Sequence, residues 1–275
     1  MRIPSHPLLA IVAAAVLTAP AAGATASDER IVVDGLLRSY VLHVPAGVPR
    51  GVVIACHGGG SNGRELWDRH WHRQADRGAI IACPTAQVGG VGLTNWVALG
   101  DRAKDPAIDE LRDERFLLAL RARWPRLPAY ACGFSSGAKM THHLYVRCGG
   151  SFAGFAMVGR GIAEAQAAVT PAVLRPLRFT MGSEDPNHDA PGDGVLDAAA
   201  TRAWYGALLP GPLRARTVAG AVTSARIVAC ASSPPSCYVR IDGMGHRWPT
   251  LRDGDPFDED AELMRWWRLA DVTAR

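Results

Sequence analysis

The sequence predicts an α/β domain built on a mainly parallel sheet, with an antiparallel hairpin at its N-terminal end and helices on both faces. Three observations carry this. Strand-like and helix-like segments alternate along the chain, several strand segments are apolar at every position and so covered on both faces, and Gly-rich turns twice follow such a strand and precede a helix. The 275 residues, 48% hydrophobic and 20% charged, suit one globular domain and exclude disordered, collagen-like and coiled-coil classes. The formal charge of +4 is too mild and too scattered for a nucleic-acid footprint, so small or neutral ligands are the expected partners.

At the N-terminus, Met1-Arg2, an apolar run over 8–17 and the small residues Ala24-Thr25-Ala26 have the form of a secretory signal peptide spanning 1–26, with 27–275 as one domain. The run is shorter than the about 20 residues of a membrane span. No membrane anchor is therefore expected after cleavage, and the mature chain is expected to be secreted or periplasmic. Asp34-Gly35 between β-like runs at 30–33 and 38–44 predicts a two-residue hairpin. Residues 51–56 form a buried strand, followed by a Gly-rich loop, a helix over about 64–77 and a second buried strand at 79–83 closed by Pro84. Residues 113–124 set Phe116, Leu117 and Leu120 on one helical face, and Pro125 stops the helix. Next come a strand at 129–132, a helix to about Cys148, an apolar run at 152–158, strands at 177–181 and 237–241, and a helix over about 259–269. Neither a repeat nor a linker interrupts the series.

Export makes the six cysteines readable as possible disulfides. Cys230 and Cys237 flank a turn-rich stretch between two β-like runs, which predicts a disulfide across a hairpin; closing so short a loop contributes roughly 2 to 2.5 kcal/mol on the chain-entropy account. Cys56, Cys83 and Cys132 end predicted buried strands and read as small apolar packers. No C-x-x-C occurs, so neither a zinc knuckle nor a thioredoxin-like site is indicated.

The chemistry concentrates at Gly133-Phe134-Ser135-Ser136-Gly137, a G-x-S-x-G match between a predicted strand and a predicted helix. In such an elbow Ser135 is the candidate nucleophile, and the amide of Ser136 at the helix start is a candidate oxyanion donor. A serine hydroxyl needs a general base, usually a histidine oriented by a carboxylate. His246 stands in a loop directly after the strand at 237–241, and Asp185 just past the strand at 177–181, so Ser135, Asp185 and His246 follow the order Ser, Asp, His with the later two at strand ends. His57-Gly58-Gly59-Gly60 offers further backbone N–H groups, Gly59 first and Gly58 as the alternative. Trp248, two residues beyond the candidate base, and Trp96 are candidate substrate-binding aromatics.

Together these residues resemble secreted serine esterases of the α/β-hydrolase fold, the family that includes feruloyl esterases and polyhydroxybutyrate-depolymerase-like proteins. The resemblance spans nearly all of the chain after residue 26. It is carried by Val33-Asp34-Gly35 with Arg38-Ser39-Tyr40, His57-Gly58, the segment 113–117, Gly133 to Gly137, Asp185-Pro186, and Gly245-His246 with Trp248-Pro249, the G-H-x-W-P signature being the most specific part. It implies a Ser135-His246-Asp185 triad and hydrolysis of short-chain or aryl esters, of feruloyl or acetyl type, through an acyl-enzyme. No cofactor is expected, and the substrate would be a small-molecule or oligosaccharide ester. Where many members carry Val or Ile after Asp-Pro, this chain has Asn187-His188-Asp189, which leaves Asp189 and Asp193 as rival acids.

Rival readings are a polyhydroxyalkanoate-oligomer depolymerase, a peptidase, and a catalytically silent hydrolase-fold binding protein. Gly58, Gly60 and Gly63 also match G-x-G-x-x-G, but the next strand ends without the acid that a ribose hydroxyl requires, which argues against a dinucleotide site. His70 and His72 lie two apart on a predicted helix and do not share a face, so no metal site is expected there; His142-His143 read as structural. Oligomeric state is not legible.

Overall fold

The computed structural model describes residues 26–89, 92–101, 105–188, 194–208, 213–230 and 236–270, with the Cys230 side chain excepted. Residues 1–25 of the expected signal peptide at 1–26, and the rival acids Asp189 and Asp193, lie outside these residues. Among them one sheet of ten strands is formed. Strand β1 (Ser27–Val33) pairs antiparallel with β2 (Leu36–His43) through Asp34-Gly35, whose φ values of 51° and 76° are those that a type I′ turn requires. Strand β2 is antiparallel to β4 (Ala79–Pro84), and β4 is parallel to β3 (Gly51–Cys56). The parallel array continues through β5 (Ala129–Phe134), β6 (Gly154–Val158), β7 (Leu177–Gly182) and β10 (Ser236–Asp242). Antiparallel β9 (Ser224–Cys230) and β8 (Leu213–Ala219) close the far edge.

The pleat sends alternate residues to opposite faces and so divides the core. On one face Val53, Ala55, Ile81 and Cys83 pack with Leu66 and Trp67 of α1 (Gly63–Arg69) and with Leu263 and Met264 of α6 (Glu259–Trp266). On the other, Val52, Ile54, Ile80 and Ala82 meet Phe116, Leu117 and Leu120 of α2 (Arg112–Ala122) and Met140 and Leu144 of α3 (Ser136–Cys148). Short α4 (Glu164–Ala167) and α5 (Ala198–Ala207) lie between β6 and β8 in sequence, and α5 adds Tyr205 to the same core. Helices thus cover both faces, as expected.

Three expectations are corrected. The helix over 64–77 breaks at His70, whose φ of −130° ends α1 and turns fully buried Trp71 into the core within a short 3-10 segment, Trp71–Gln74. The β8 strand and α5 were not anticipated. Residues 213–217 of β8 are exposed in succession, so no apolar alternation marks the strand, and Arg214 and Arg216 instead charge an open edge. Finally, Cys237 is a free, buried thiol. The β9–β10 register sets Cys237 opposite Ala229 and Cys230 opposite Ser236, so the two cysteines are not a cross-strand pair. The Cys230 side chain lies outside the described residues. Cys56, Cys83 and Cys132 are also free and buried.

One ion pair ties the sheet to the α6 face. The Arg178 guanidinium donates through Nε and Nη2 to both carboxylate oxygens of Glu259, at 2.7 and 3.0 Å, and the Thr180 hydroxyl donates to the same carboxylate at 2.9 Å. Burial opposes the arginine's charge, but Glu259 outweighs it and keeps the guanidinium protonated. Glu259→Ala leaves that charge buried and unpaired, so the free energy of unfolding in a urea titration is expected to fall by about 3–5 kcal/mol. The double substitution Arg178→Met/Glu259→Leu is expected to recover most of it.

Candidate active site

Strand β5 runs into α3 through a single residue, Ser135, at φ 52° and ψ −113°, a region that a residue with a Cβ occupies only when its surroundings force it. The turn is tight because the chain nearly touches itself: a Cβ at Gly133 would lie 2.2 Å from the Gly137 carbonyl oxygen, and one at Gly137 would lie 2.2 Å from that of Cys56. Both glycines of the G-x-S-x-G match are thus sterically required. The elbow is pinned by the Ser135 N–H, which donates to Val158 of β6 at 2.9 Å, and by Lys139 N–H, which donates to the Ser135 carbonyl at 3.1 Å.

Two further loops meet this elbow. The loop after β7 and the loop after β10 are laced together by Ser183 N–H to Ile241 O at 2.9 Å and Glu184 N–H to Met244 O at 3.0 Å. As a result, His246 Nε2 lies 3.1 Å from Ser135 Oγ and its Nδ1 lies 2.9 Å from Asp185 Oδ2. The Phe134 ring stacks on the imidazole at 4.8 Å between centroids. Asp185 is buried, while the imidazole remains partly open to solvent. The second carboxylate oxygen, Oδ1, accepts from Asn187 N at 2.9 Å and Asn187 Nδ2 at 3.2 Å, and Nδ2 is also 3.0 Å from His246 Nδ1. Sequence reasoning registered Asn187 only as a departure from the family pattern; the Asp-Pro-Asn order is consistent with an Asx-type turn, which was the available signal.

The His57 to Gly60 turn faces the elbow from the end of β3. A Cβ at Gly58 would lie 3.6 Å from Ser135 Cβ, and one at Gly59 would lie 3.9 Å from Ser136 Cβ. Among the described residues the N–H groups of Gly58, Gly59 and Ser136 have no protein acceptor, whereas Gly60 N–H donates to Thr94 O at 2.8 Å. Buried His57 braces the turn. Its Nδ1 donates to Gly58 O at 2.6 Å and its Nε2 accepts from Ala86 N–H at 3.0 Å, a tautomer suited to burial, which pushes its pKa down.

Trp96 is not a pocket residue. It is fully buried, its indole N–H donates to His57 O at 2.8 Å, and its backbone N–H donates to Ser136 Oγ at 3.2 Å, making it a strut beneath the site. Trp248 does line a cleft of about 390 Å³ with Phe134, His246, Gly58, Gly59 and His70. Burial, reinforced by Arg73 and Arg69, lowers the His70 pKa to about 4, so this imidazole is neutral at pH 7. A second cleft of about 380 Å³ opens beside Ser136. Among the described residues no three His, Cys, Asp or Glu side chains form a metal-ligating group. His142 and His143 instead bond Gln166 and Glu114, at 2.8 and 2.7 Å, and His143 Nδ1 accepts from Leu99 N–H in the loop that carries Trp96 at 2.8 Å.

No family model matches the chain. It is 29% identical over 204 residues to Putative esterase NocK of Nocardia uniformis subsp. tsuyamanensis, an alignment covering 70% of this chain and 58% of that relative. The chain therefore spans less than two thirds of the relative's length. Acetyl xylan esterase from Aspergillus awamori superposes with a TM-score of 0.59 at 15% identity, covering 89% of this chain and 100% of the other. A lipase in its open form gives 0.58 at 14% identity, covering 90% and 100%, and the Bacillus cereus carboxylesterase 0.53 at 15%, covering 84% and 94%. At such identities the likeness is one of fold, and the fold is that of the α/β-hydrolases.

The geometry of the elbow has a measurable signature. Ser135→Ala keeps a Cβ at positive φ whereas Ser135→Gly removes it, so the glycine variant is expected to be the more stable of the two by about 1 kcal/mol in thermal or urea unfolding, the reverse of their order in a helix.

Proposed function

We propose that this chain is a secreted or periplasmic serine carboxylesterase acting on short-chain or aryl esters. The observation that carries the reading is the continuous hydrogen-bonded line from Ser135 Oγ through His246 to Asp185, at 3.1 and 2.9 Å, set beside backbone N–H groups with no acceptor among the described residues. The fold shared with solved esterases and the resemblance to a named esterase support it from outside the site. Secretion rests on the N-terminal segment alone.

In this mechanism His246 Nε2 takes the Ser135 proton as Oγ attacks the ester carbonyl, and Asp185 holds the Nδ1–H and stabilises the imidazolium. Asn187 supports the arrangement by occupying Asp185 Oδ1 and leaving Oδ2 for the imidazole. The developing oxyanion accepts from the N–H groups of Ser136 and Gly59, which as backbone donors need no reorganisation when the charge appears. Collapse of the tetrahedral intermediate breaks the bond to the alcohol oxygen, which receives the proton from His246. Water, deprotonated by the same imidazole, then cleaves the acyl-enzyme and releases the acid.

Hydrolysis of p-nitrophenyl acetate and of methyl ferulate is expected for the wild type and should fall by at least about 10³-fold in Ser135→Ala. A folded wild-type protein inert on both esters would favour the binding-protein reading.

A further inference from the structure

The two clefts divide at the elbow: His246 and Phe134 line one, and Ser136 the other, which is also lined by Asn95, Asp101, Lys139, Arg160 and Glu164. If the serine-esterase reading holds, the leaving oxygen must reach His246 Nε2, since that atom protonates it. The alcohol part then lies on the His246 side among Phe134, Trp248 and His70. The acyl part extends past Ser136 into the second cleft.

The polar groups of that second cleft are not equivalent. Lys139 Nζ is paired with Asp101 at 2.7 Å, and the same carboxylate oxygen accepts Ala98 N–H at 2.9 Å, so neither charge stands alone. Ser136 Oγ accepts from Trp96 N–H and therefore directs its own hydrogen to Asn95 Oδ1, which leaves the two Nδ2 hydrogens of exposed Asn95 as donors. Half-buried Arg160 directly follows Gly159, where a Cβ would lie 3.5 Å from Asp185 Oδ2. Its guanidinium forms no ion pair among the described residues, and its buried Nε has no hydrogen-bond partner. Glu164 sits at the exposed rim and does not pair with Arg160. A buried N–H without an acceptor, here Nε–H, is costly unless a ligand supplies one, and a carboxylate matches the planar fork of Nε and Nη.

We propose that this cleft is the acyl subsite and that Arg160 selects acyl groups ending in a carboxylate, so that the favoured substrates are hemi-esters of short dicarboxylic acids. The inference rests on the esterase reading and goes beyond it in naming the acid half of the substrate. Arg160 binds the distal carboxylate and takes no part in bond making; Asn95 Nδ2 adds a neutral donor on the path.

The test compares monoethyl succinate with ethyl butyrate, and monoethyl glutarate with ethyl valerate, followed by pH-stat titration. In each pair a carboxylate replaces a terminal methyl. The ratio of kcat/KM within a pair is read for each protein separately, so that any general loss cancels. Wild type is expected to favour the hemi-ester about tenfold or more, Arg160→Gln to lose that preference, and Arg160→Lys, which keeps the charge but not the fork, to retain part of it. The wild-type preference should also shrink as NaCl is raised from about 20 mM to about 500 mM, a readout that needs no variant. A wild type that prefers the neutral ester, or a preference untouched by Arg160→Gln in a folded protein, overturns the assignment of Arg160. Failure of folded wild type to hydrolyse p-nitrophenyl acetate overturns instead the esterase reading beneath it.

Discussion

The tight crossing of α3 over the ends of β3 and β5 is the constraint on which the rest of the molecule turns. Ser135 is held at positive φ because Gly137 is pressed against the Cys56 carbonyl and Gly133 against the carbonyl of Gly137. Strain of this kind persists only where packing over-determines the backbone. Here the packing is the parallel array itself, with β3 and β6 on either side of β5 and Val158 of β6 accepting the Ser135 N–H. The core thereby places one hydroxyl and the first amide of a helix at the edge of the sheet, where a substrate could reach both.

Much of the remaining polar structure keeps loops at that edge. Fully buried Asp113 accepts from Arg38 Nη2 of β2 at 2.7 Å and from Val97 N–H at 2.8 Å, fastening the Asn95–Val97 segment between the hairpin and α2. That segment in turn bonds Ser136 through Trp96 N–H and His57 through the indole, so the His57 to Gly60 turn, the Ser135 elbow and α2 are mechanically one unit. Buried polar groups so fully paired favour a single arrangement over near alternatives. On the other side of the elbow, Asn187 does the same for Asp185, using its backbone and its side chain on one carboxylate oxygen.

The clefts on the two sides of Ser135 differ in chemistry because different loops build them. Trp248 and Phe134 belong to the loop after β10 and the end of β5 and give one cleft an aromatic wall, with Arg69, Arg247 and Asp253 also lining it. Arg160 and Glu164 come from the segment after β6, and Lys139 and Asp101 from α3 and the loop before α2, so the other cleft has charged groups without an aromatic wall among its described lining residues. Among the described residues, the Arg160 guanidinium lining that cleft forms no ion pair and its buried Nε has no partner.

Local signals in the chain suffice for several elements. Asp34-Gly35 dictates its turn because both positions need positive φ, and the all-apolar runs of β3 and β4 state that they are covered on both faces. Ser135, Asp185 and His246 are legible as motif positions because strand ends and small residues surround them. What no local pattern carries is which of two faces, or which of two loops, a side chain meets. Trp96 looks like a pocket aromatic from its position in a loop, yet long-range packing against α2 and α3 buries it completely. Cys230 and Cys237 sit at a spacing suited to a short bridge, but a ladder register, set by the faces of β9 and β10 that must be covered, opposes each to a different residue. Residues 213–219 pair as a strand although their exposed arginines give no period, because backbone hydrogen bonds to β9, not side-chain burial, hold them. Local backbone preference and hydrophobic period are written into the chain residue by residue, whereas register, burial and the company a charge keeps arise only when distant segments are brought together.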